Sequence, residues 1–332
     1  MRERSTTNPS PTGCPECSAA IWERLGPFVA ENHIAGAASL LPLLKIQIEL
    51  EYPGLFELVE NPGQWIGEFG THWFPVAPEK MAKEVLHIEA IAAPLPFVAA
   101  VVRAVCPHCD TSHRIVHLSV NFWTLLSHIS AHFIDRGLSA DQLALLIQEL
   151  MAERPDWTKF SAPEEVPRGI VASGMAWLLC HEVGHFGSPD AGFCPSLKVP
   201  AYATARVRDE LNADHNSFHM LLLRKQGTWP TDKESLCRPL AGVSLVLRAW
   251  NLMIPVHQGR QPNILSYGDV VGAMTPSPTV RWGSVHSPFE TLDKLGLASI
   301  AQYRELEQIL YPDSDVKTVK LWEKFDEYGI VF

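Results

Sequence analysis

Five residues just past the middle of the chain have the types and the spacing of a hydrolytic metal site. They read His-Glu-x-x-His and run from His181 to His185. Residues four apart lie on one face of a helix, so the two imidazoles can meet one ion. Glu182 follows the first histidine, where a carboxylate can take a proton from an attacking water without binding the metal itself. The spacing therefore predicts two metal ligands, His181 and His185, and a general base, Glu182.

A hydrolytic zinc site needs a third protein ligand, and an acidic segment downstream offers one. Zinc in such a site binds three side chains and keeps its fourth position for water. Glu210 follows His185 by 25 residues, and Asp214 comes one helical turn after Glu210. We expect Glu210 to bind the metal while Asp214 accepts the N–H of a ligating imidazole. Asp209 is the rival ligand, but only Glu210 precedes Asp214 by one turn.

Helices are expected to carry these side chains. The run from Gly169 to His185 contains no proline, and its apolar residues recur at helical spacing. Two further helices are predicted upstream, the first with an apolar stripe from Phe122 to Phe133 and the second with one from Leu143 to Leu150. A β-hairpin is predicted around residues 106–113, because two β-branched runs flank that turn. The fold class expected is α+β and predominantly α-helical.

The ligand pattern as a whole resembles a known group of enzymes. His-Glu-x-x-His followed by Glu210-x-x-Ala213-Asp214 is similar to the gluzincin metallopeptidases. The resemblance covers about residues 165–290 and implies a zincin-like core, one catalytic zinc ion (Zn2+) and peptide-bond hydrolysis. Within the gluzincins, the length of the chain and the late position of its zinc helix resemble the phage-exclusion peptidases of the Lit type.

A later segment extends the resemblance with one departure. Residues 274–282 read MTPSPTVRW and are similar to the T/S-H-P-x-x-x-x-R segment of integral-membrane and related gluzincins. The resemblance implies that Arg281 belongs to the site. Thr275 stands where those families carry a histidine that steadies the tetrahedral intermediate. We expect His286, or alternatively His257, to take that role.

Cysteines suggest a second, structural metal. Four of them form two C-P-x-C pairs: Cys14 with Cys17, and Cys106 with Cys109. Such a tight turn directs two thiolates at one tetrahedral ion. The two pairs could share one structural zinc, or the second pair could recruit His113 and His117. Free surface thiols are the remaining alternative.

The overall composition limits the partners. A net charge of −10 argues against binding to nucleic acid or to an anionic membrane, and no apolar stretch reads as a membrane span. The polar, proline-rich start lacks the features of a secretory signal, so a cytoplasmic protein is expected. Its expected partner is a protein or peptide substrate.

Four regions are predicted along the chain. They are a lead-in (1–18), an N-terminal region with the cysteine turn and helices (19–160), a metallopeptidase core (161–290) and a helical C-terminal extension (291–332). The function expected is that of a regulated zinc metalloendopeptidase acting on a restricted set of proteins. The alternative is a zinc-ribbon binding or adaptor protein whose His-Glu-x-x-His site is degenerate and inactive.

Overall fold

Most of the described residues are helical, and one small sheet accompanies them. The computed structural model describes residues 40–60, 84–92, 95, 98–105, 112–133, 140–152, 168–185, 209–210, 213–214, 216–218, 220–221 and 233–257. In chain order the elements are α1 (Leu41–Glu51), α2 (Leu55–Glu60), β1 (Glu84–Ile91), β2 (Ala99–Val105), β3 (Ser112–Ser119), α3 (Val120–Phe133), α4 (Ala140–Leu150), α5 (Arg168–Gly184) and α6 (Lys233–His257). Further helical residues between positions 209 and 221 form what we call the 209–221 segment. Within these ranges, no helix is long and apolar enough to cross a bilayer.

The apolar periodicity of the sequence predicted α3 and α4 correctly. Four stripe residues of α3 and four of α4 are buried: Phe122, Leu125, Leu126 and Ile129, then Leu143, Leu146, Ile147 and Leu150. Pro42 marks the start of α1, where the missing amide hydrogen costs no helical bond. Gly54, with a φ of 75°, forms the turn between α1 and α2, because a positive φ suits a residue without a side chain.

The sheet has three strands in the order β1-β3-β2, with β3 in the centre. β3 pairs with β2 in antiparallel register, from Ala99 opposite Leu118 to Val105 opposite Ser112, which confirms the predicted hairpin. β3 also pairs with β1 in parallel, an arrangement that the sequence did not predict. Successive residues of a strand point to opposite faces. One face of β3 therefore packs Val116 and Leu118 into the core, and the other carries the buried histidines of this strand.

α5 is the central element of the described structure. All its residues from 170 to 184 are buried, as expected for a helix surrounded by other elements. It packs against α1, α3, α6, β2 and β3. One hydrophobic core runs from Leu44 on α1 to Met253 on α6, so described residues on both sides of position 160 share it. The division into four regions stays a prediction.

Close backbone approach and buried polar contacts fix α5 against its neighbours. A Cβ built on Gly242 of α6 would lie 2.6 Å from the backbone nitrogen of Gly174, so these two helices cross nearly backbone to backbone. Beside Gly174, Ser173 Oγ accepts a hydrogen bond from the Tyr52 hydroxyl at 2.8 Å. Arg238 of α6 binds the Glu51 carboxylate of α1 at 3.0 Å. These contacts hold the helix that carries the predicted metal ligands.

Candidate metal centre

The end of α5 brings the two predicted histidines together. α5 ends at Gly184, and His185 follows it directly. The His181 and His185 rings meet edge to face, with centroids 4.7 Å apart and planes at 87°. Their Nε2 atoms lie 3.1 Å from each other. The four-residue spacing therefore brings the two imidazoles together at the end of this helix, as the sequence predicted.

A carboxylate from the 209–221 segment completes a group of three. Glu210 Oε2 lies 3.3 Å from His181 Nε2. One donor atom from each of His181, His185 and Glu210 lies within 4.8 Å of the other two. Ligands at about 2.0–2.1 Å around a tetrahedral zinc are separated by about 3.3 Å. The spacing of the nitrogens and the carboxylate oxygen therefore fits a first coordination shell, and this group could hold a metal ion.

Two further carboxylates orient the imidazoles from behind. His181 Nδ1 lies 2.8 Å from Asp214 Oδ1, the contact that the sequence predicted. His185 Nδ1 lies 3.1 Å from Asp209 Oδ2, a contact that the sequence did not predict. When each Nδ1–H donates to its carboxylate, each Nε2 keeps a lone pair for a metal. The rival assignment of Asp209 as a ligand does not hold, because this carboxylate faces the back of the ring.

A small-residue contact sets the distance between the two ligand-bearing elements. A Cβ built on Gly184 would lie 2.9 Å from both Cα and O of Ala213. Any side chain at position 184 would therefore press on the backbone between Glu210 and Asp214. Glycine at this position lets the acidic segment approach α5 closely enough for its carboxylates to reach both rings.

The centre is acidic, and both its first ligand and the predicted general base are buried. His181 is 3% exposed and Glu182 is 7% exposed, so the predicted general base lies at the edge of the interior rather than on an open helix face. Trp177, one turn before the first ligand, packs against the His181 ring with centroids 5.7 Å apart. Four carboxylates, those of residues 182, 209, 210 and 214, belong to this cluster or adjoin it. Such a concentration of negative charge around two imidazoles favours a bound cation.

Cys180, the neighbour of the first ligand, takes no part in this cluster. Its side chain is completely buried among the core residues. Burial raises the pKa of the Cys180 thiol, because a thiolate would lose its solvation. This cysteine therefore behaves as a small apolar core residue.

Several predicted site residues lie outside the described residues. They are Cys14, Cys17, Cys106, Cys109, Arg281 and His286. The structural zinc shared by the cysteine pairs stays a prediction, and so do the roles of Arg281 and His286.

The alternative in which the second cysteine pair binds one ion together with His113 and His117 is wrong, because both histidines lie on β3. Strand residues four apart are separated by about 13 Å, too far for both to bind one ion. His113 Nδ1 instead lies 3.1 Å from His87 Nε2 on β1.

Comparisons with protein family models, with curated proteins and with solved structures found no match. The chemistry of the centre is therefore inferred from its own side chains. Two imidazole nitrogens and one carboxylate oxygen are the donor set of several hydrolytic zinc sites, and three protein ligands leave one position of a four-coordinate ion for a small molecule.

Proposed function

We propose that this chain is a zinc-dependent endopeptidase of the gluzincin type. The observation that carries the proposal is the convergence of His181 Nε2, His185 Nε2 and Glu210 Oε2. With a proton on each Nδ1, these three atoms face one another with lone pairs only. Lone pairs at 3.1 and 3.3 Å repel one another, and a cation between them turns this repulsion into coordination.

The residues that would hold zinc are those three, with Asp214 and Asp209 behind the two imidazoles. When bound, zinc supplies a Lewis acid that polarises the scissile carbonyl and lowers the pKa of the attacking water. The carboxylates behind the rings fix the tautomer and the orientation of each imidazole. A zincin-like core is part of this proposal, supported by the central helix with the His-Glu-x-x-His residues at its end and by the acidic segment that carries Glu210.

Glu182 is proposed as the general base. Its position directly after His181 puts a carboxylate beside the ion without using it as a ligand. It takes a proton from the attacking water and returns that proton to the leaving nitrogen, so the peptide bond breaks into an amine and a carboxylate. Its low exposure keeps the carboxylate at the edge of the interior, where it is held close to the first ligand.

The first experiment tests the general base. Glu182→Gln keeps the shape of the side chain but cannot accept the proton, so it should retain zinc and lose at least about 100-fold in turnover. The substrate is a random-sequence peptide library with cleavage read by mass spectrometry, in the presence and absence of a chelator. Glu57→Gln, the same change on an exposed residue of α2, is the matched control and should cleave like the wild type. Cleavage by Glu182→Gln at the wild-type rate would contradict the proposal.

Elemental analysis of the purified chain tests the metal. A set of two histidines and one carboxylate also binds iron(II) in oxygenases, so zinc must be measured against iron. We expect one zinc per chain at this site, lost on replacing His181 and His185 together by alanine. A chain that holds zinc here but shows no chelator-sensitive cleavage would favour the alternative, a binding or adaptor protein with an inactive site. A restricted, regulated set of protein substrates is part of the proposal and rests on the resemblance alone.

A further inference from the structure

The two imidazoles are held by carboxylates in very different surroundings. Asp214 is fully buried and lies 2.8 Å from His181 Nδ1. Asp209 has 32% of its side chain exposed and lies 3.1 Å from His185 Nδ1. The imidazoles differ in exposure in the same direction: the His181 side chain is 4% exposed and the His185 side chain is 15% exposed. One half of the centre is therefore enclosed, and the other half borders on solvent.

The solvent-facing half also depends on a single short piece of backbone. Asp209 and Glu210 are consecutive, and one orients His185 while the other reaches the ligand position beside His181. A small displacement of this dipeptide weakens two interactions at once: the carboxylate donor and the orientation of the second imidazole. His181 depends less on this dipeptide, because Asp214, four residues further along the same segment, and the Trp177 ring hold it from the buried side.

We propose that Asp209 is a positioning residue for His185, and that the Asp209–Glu210 pair controls how fast the metal ion leaves the centre. This inference rests on the proposed metal site. It assigns control of metal exchange to the more exposed half of that site, which contains Asp209 and His185. The buried half, with Asp214, keeps the His181 imidazole in place.

Substitutions at the two orienting carboxylates separate the halves. Asp209→Ala removes both the charge and the hydrogen-bond acceptor, and loss of such an outer partner typically weakens metal binding by about 10–100-fold. We expect the weaker binding to appear as a faster rate of zinc release. Asp209→Asn keeps an acceptor oxygen for the imidazole and should fall between the alanine variant and the wild type. Asp214→Asn should accelerate release less than Asp209→Asn, because Trp177 still holds the His181 ring.

The measurement is the rate of zinc transfer from the full-length chain to excess EDTA, followed with a chromophoric indicator. The visible spectrum of the cobalt(II)-loaded protein adds a readout of ligand geometry, which a residue that only supports folding would leave unchanged. Glu57→Ala on the exposed face of α2 is the control for loss of a carboxylate. Thermal unfolding of each metal-free variant checks that it folds, and if the alanine variant does not, Asp209→Asn alone carries the comparison.

The outcomes distinguish this inference from the proposed metal site. Faster release and an altered cobalt spectrum in the Asp209 variants would support the positioning role. Release at the wild-type rate from Asp209→Ala and Asp209→Asn, or faster release from Asp214→Asn than from Asp209→Asn, would overturn it while the site itself stands. If His181→Ala and His185→Ala bind zinc as tightly as the wild type, the proposed site fails instead.

Discussion

Replacing Gly184 by alanine should damage the metal centre without touching any ligand. The added Cβ would lie 2.9 Å from the Ala213 backbone, whereas ordinary contact begins at 3.4 Å. Because both atoms that it meets are backbone, no side-chain rotation relieves the clash. α5 and the 209–221 segment must therefore separate by about 0.5 Å, which exceeds the roughly 0.2 Å tolerance of a metal–ligand distance.

The separation moves Glu210 and Asp209 away from the histidines. We expect zinc affinity to fall by about 10–100-fold, which corresponds to about 1.4–2.7 kcal/mol. Overpacking should also lower the free energy of unfolding by about 1–3 kcal/mol, although a glycine-to-alanine change in an open helix would raise it. The zinc dissociation constant is measured by competition with a chromophoric chelator, and the unfolding of the metal-free protein by urea.

Gly169→Ala is the matched control on the same helix. There the new Cβ would meet Glu51 Oε1 at 2.8 Å, and that atom is the far end of a flexible side chain. The Glu51 side chain can move, although it also binds Arg238, so this variant should keep zinc affinity near that of the wild type. Zinc affinity within twofold of the wild type in Gly184→Ala would refute the claim that the glycine contact sets the spacing of the centre.

Two further predictions concern the support of the fold. Burial lowers the pKa of His117 to about 4, below the value of about 6.5 in an unfolded chain. The unfolded chain therefore binds more protons, and the stability falls as the pH drops from about 6.5 to 4. Between pH 6.5 and 5 the free energy of unfolding should therefore decrease by about 2 kcal/mol less in His117→Leu than in the wild type. Urea unfolding with EDTA present measures this difference, and an unchanged acid dependence would contradict the prediction. Tyr52→Phe should lower stability by about 1 kcal/mol in urea unfolding through its lost bond to Ser173, with unchanged zinc affinity; a loss of zinc would contradict this separation.

The sequence predicted the parts of the site that depend on local spacing. His181 and His185 share a helix face because they are four residues apart, and the same holds for Glu210 and Asp214. Periodicity likewise predicted α3, α4 and α5, whose apolar residues repeat at the helical period. These features follow from the geometry of one element and need no knowledge of its neighbours.

Features that depend on contacts between elements were missed. The partner of His185 is Asp209 because the acidic segment meets α5 at one particular rotation, which the Gly184–Ala213 contact sets. Two consecutive acidic residues were the available signal, but spacing alone made Asp209 only a rival ligand. β1 was also missed. Its alternation of Leu86 and Ile88 with polar residues was visible, but its parallel partner lies more than twenty residues away in the sequence.

Because α5 is enclosed on every side, its folding does not depend on a bound ion, whereas small zinc proteins couple folding to metal binding. In a zinc finger the ion supplies the free energy of folding, so chelation unfolds the chain. Here the segment from 170 to 184 is held by apolar packing, and His181 is ordered by a buried carboxylate. The entropy of ordering that imidazole is therefore lost when the chain folds, so the proposed metal ion would meet one ligand already in place. Removing that ion would end the proposed activity and leave α5 folded.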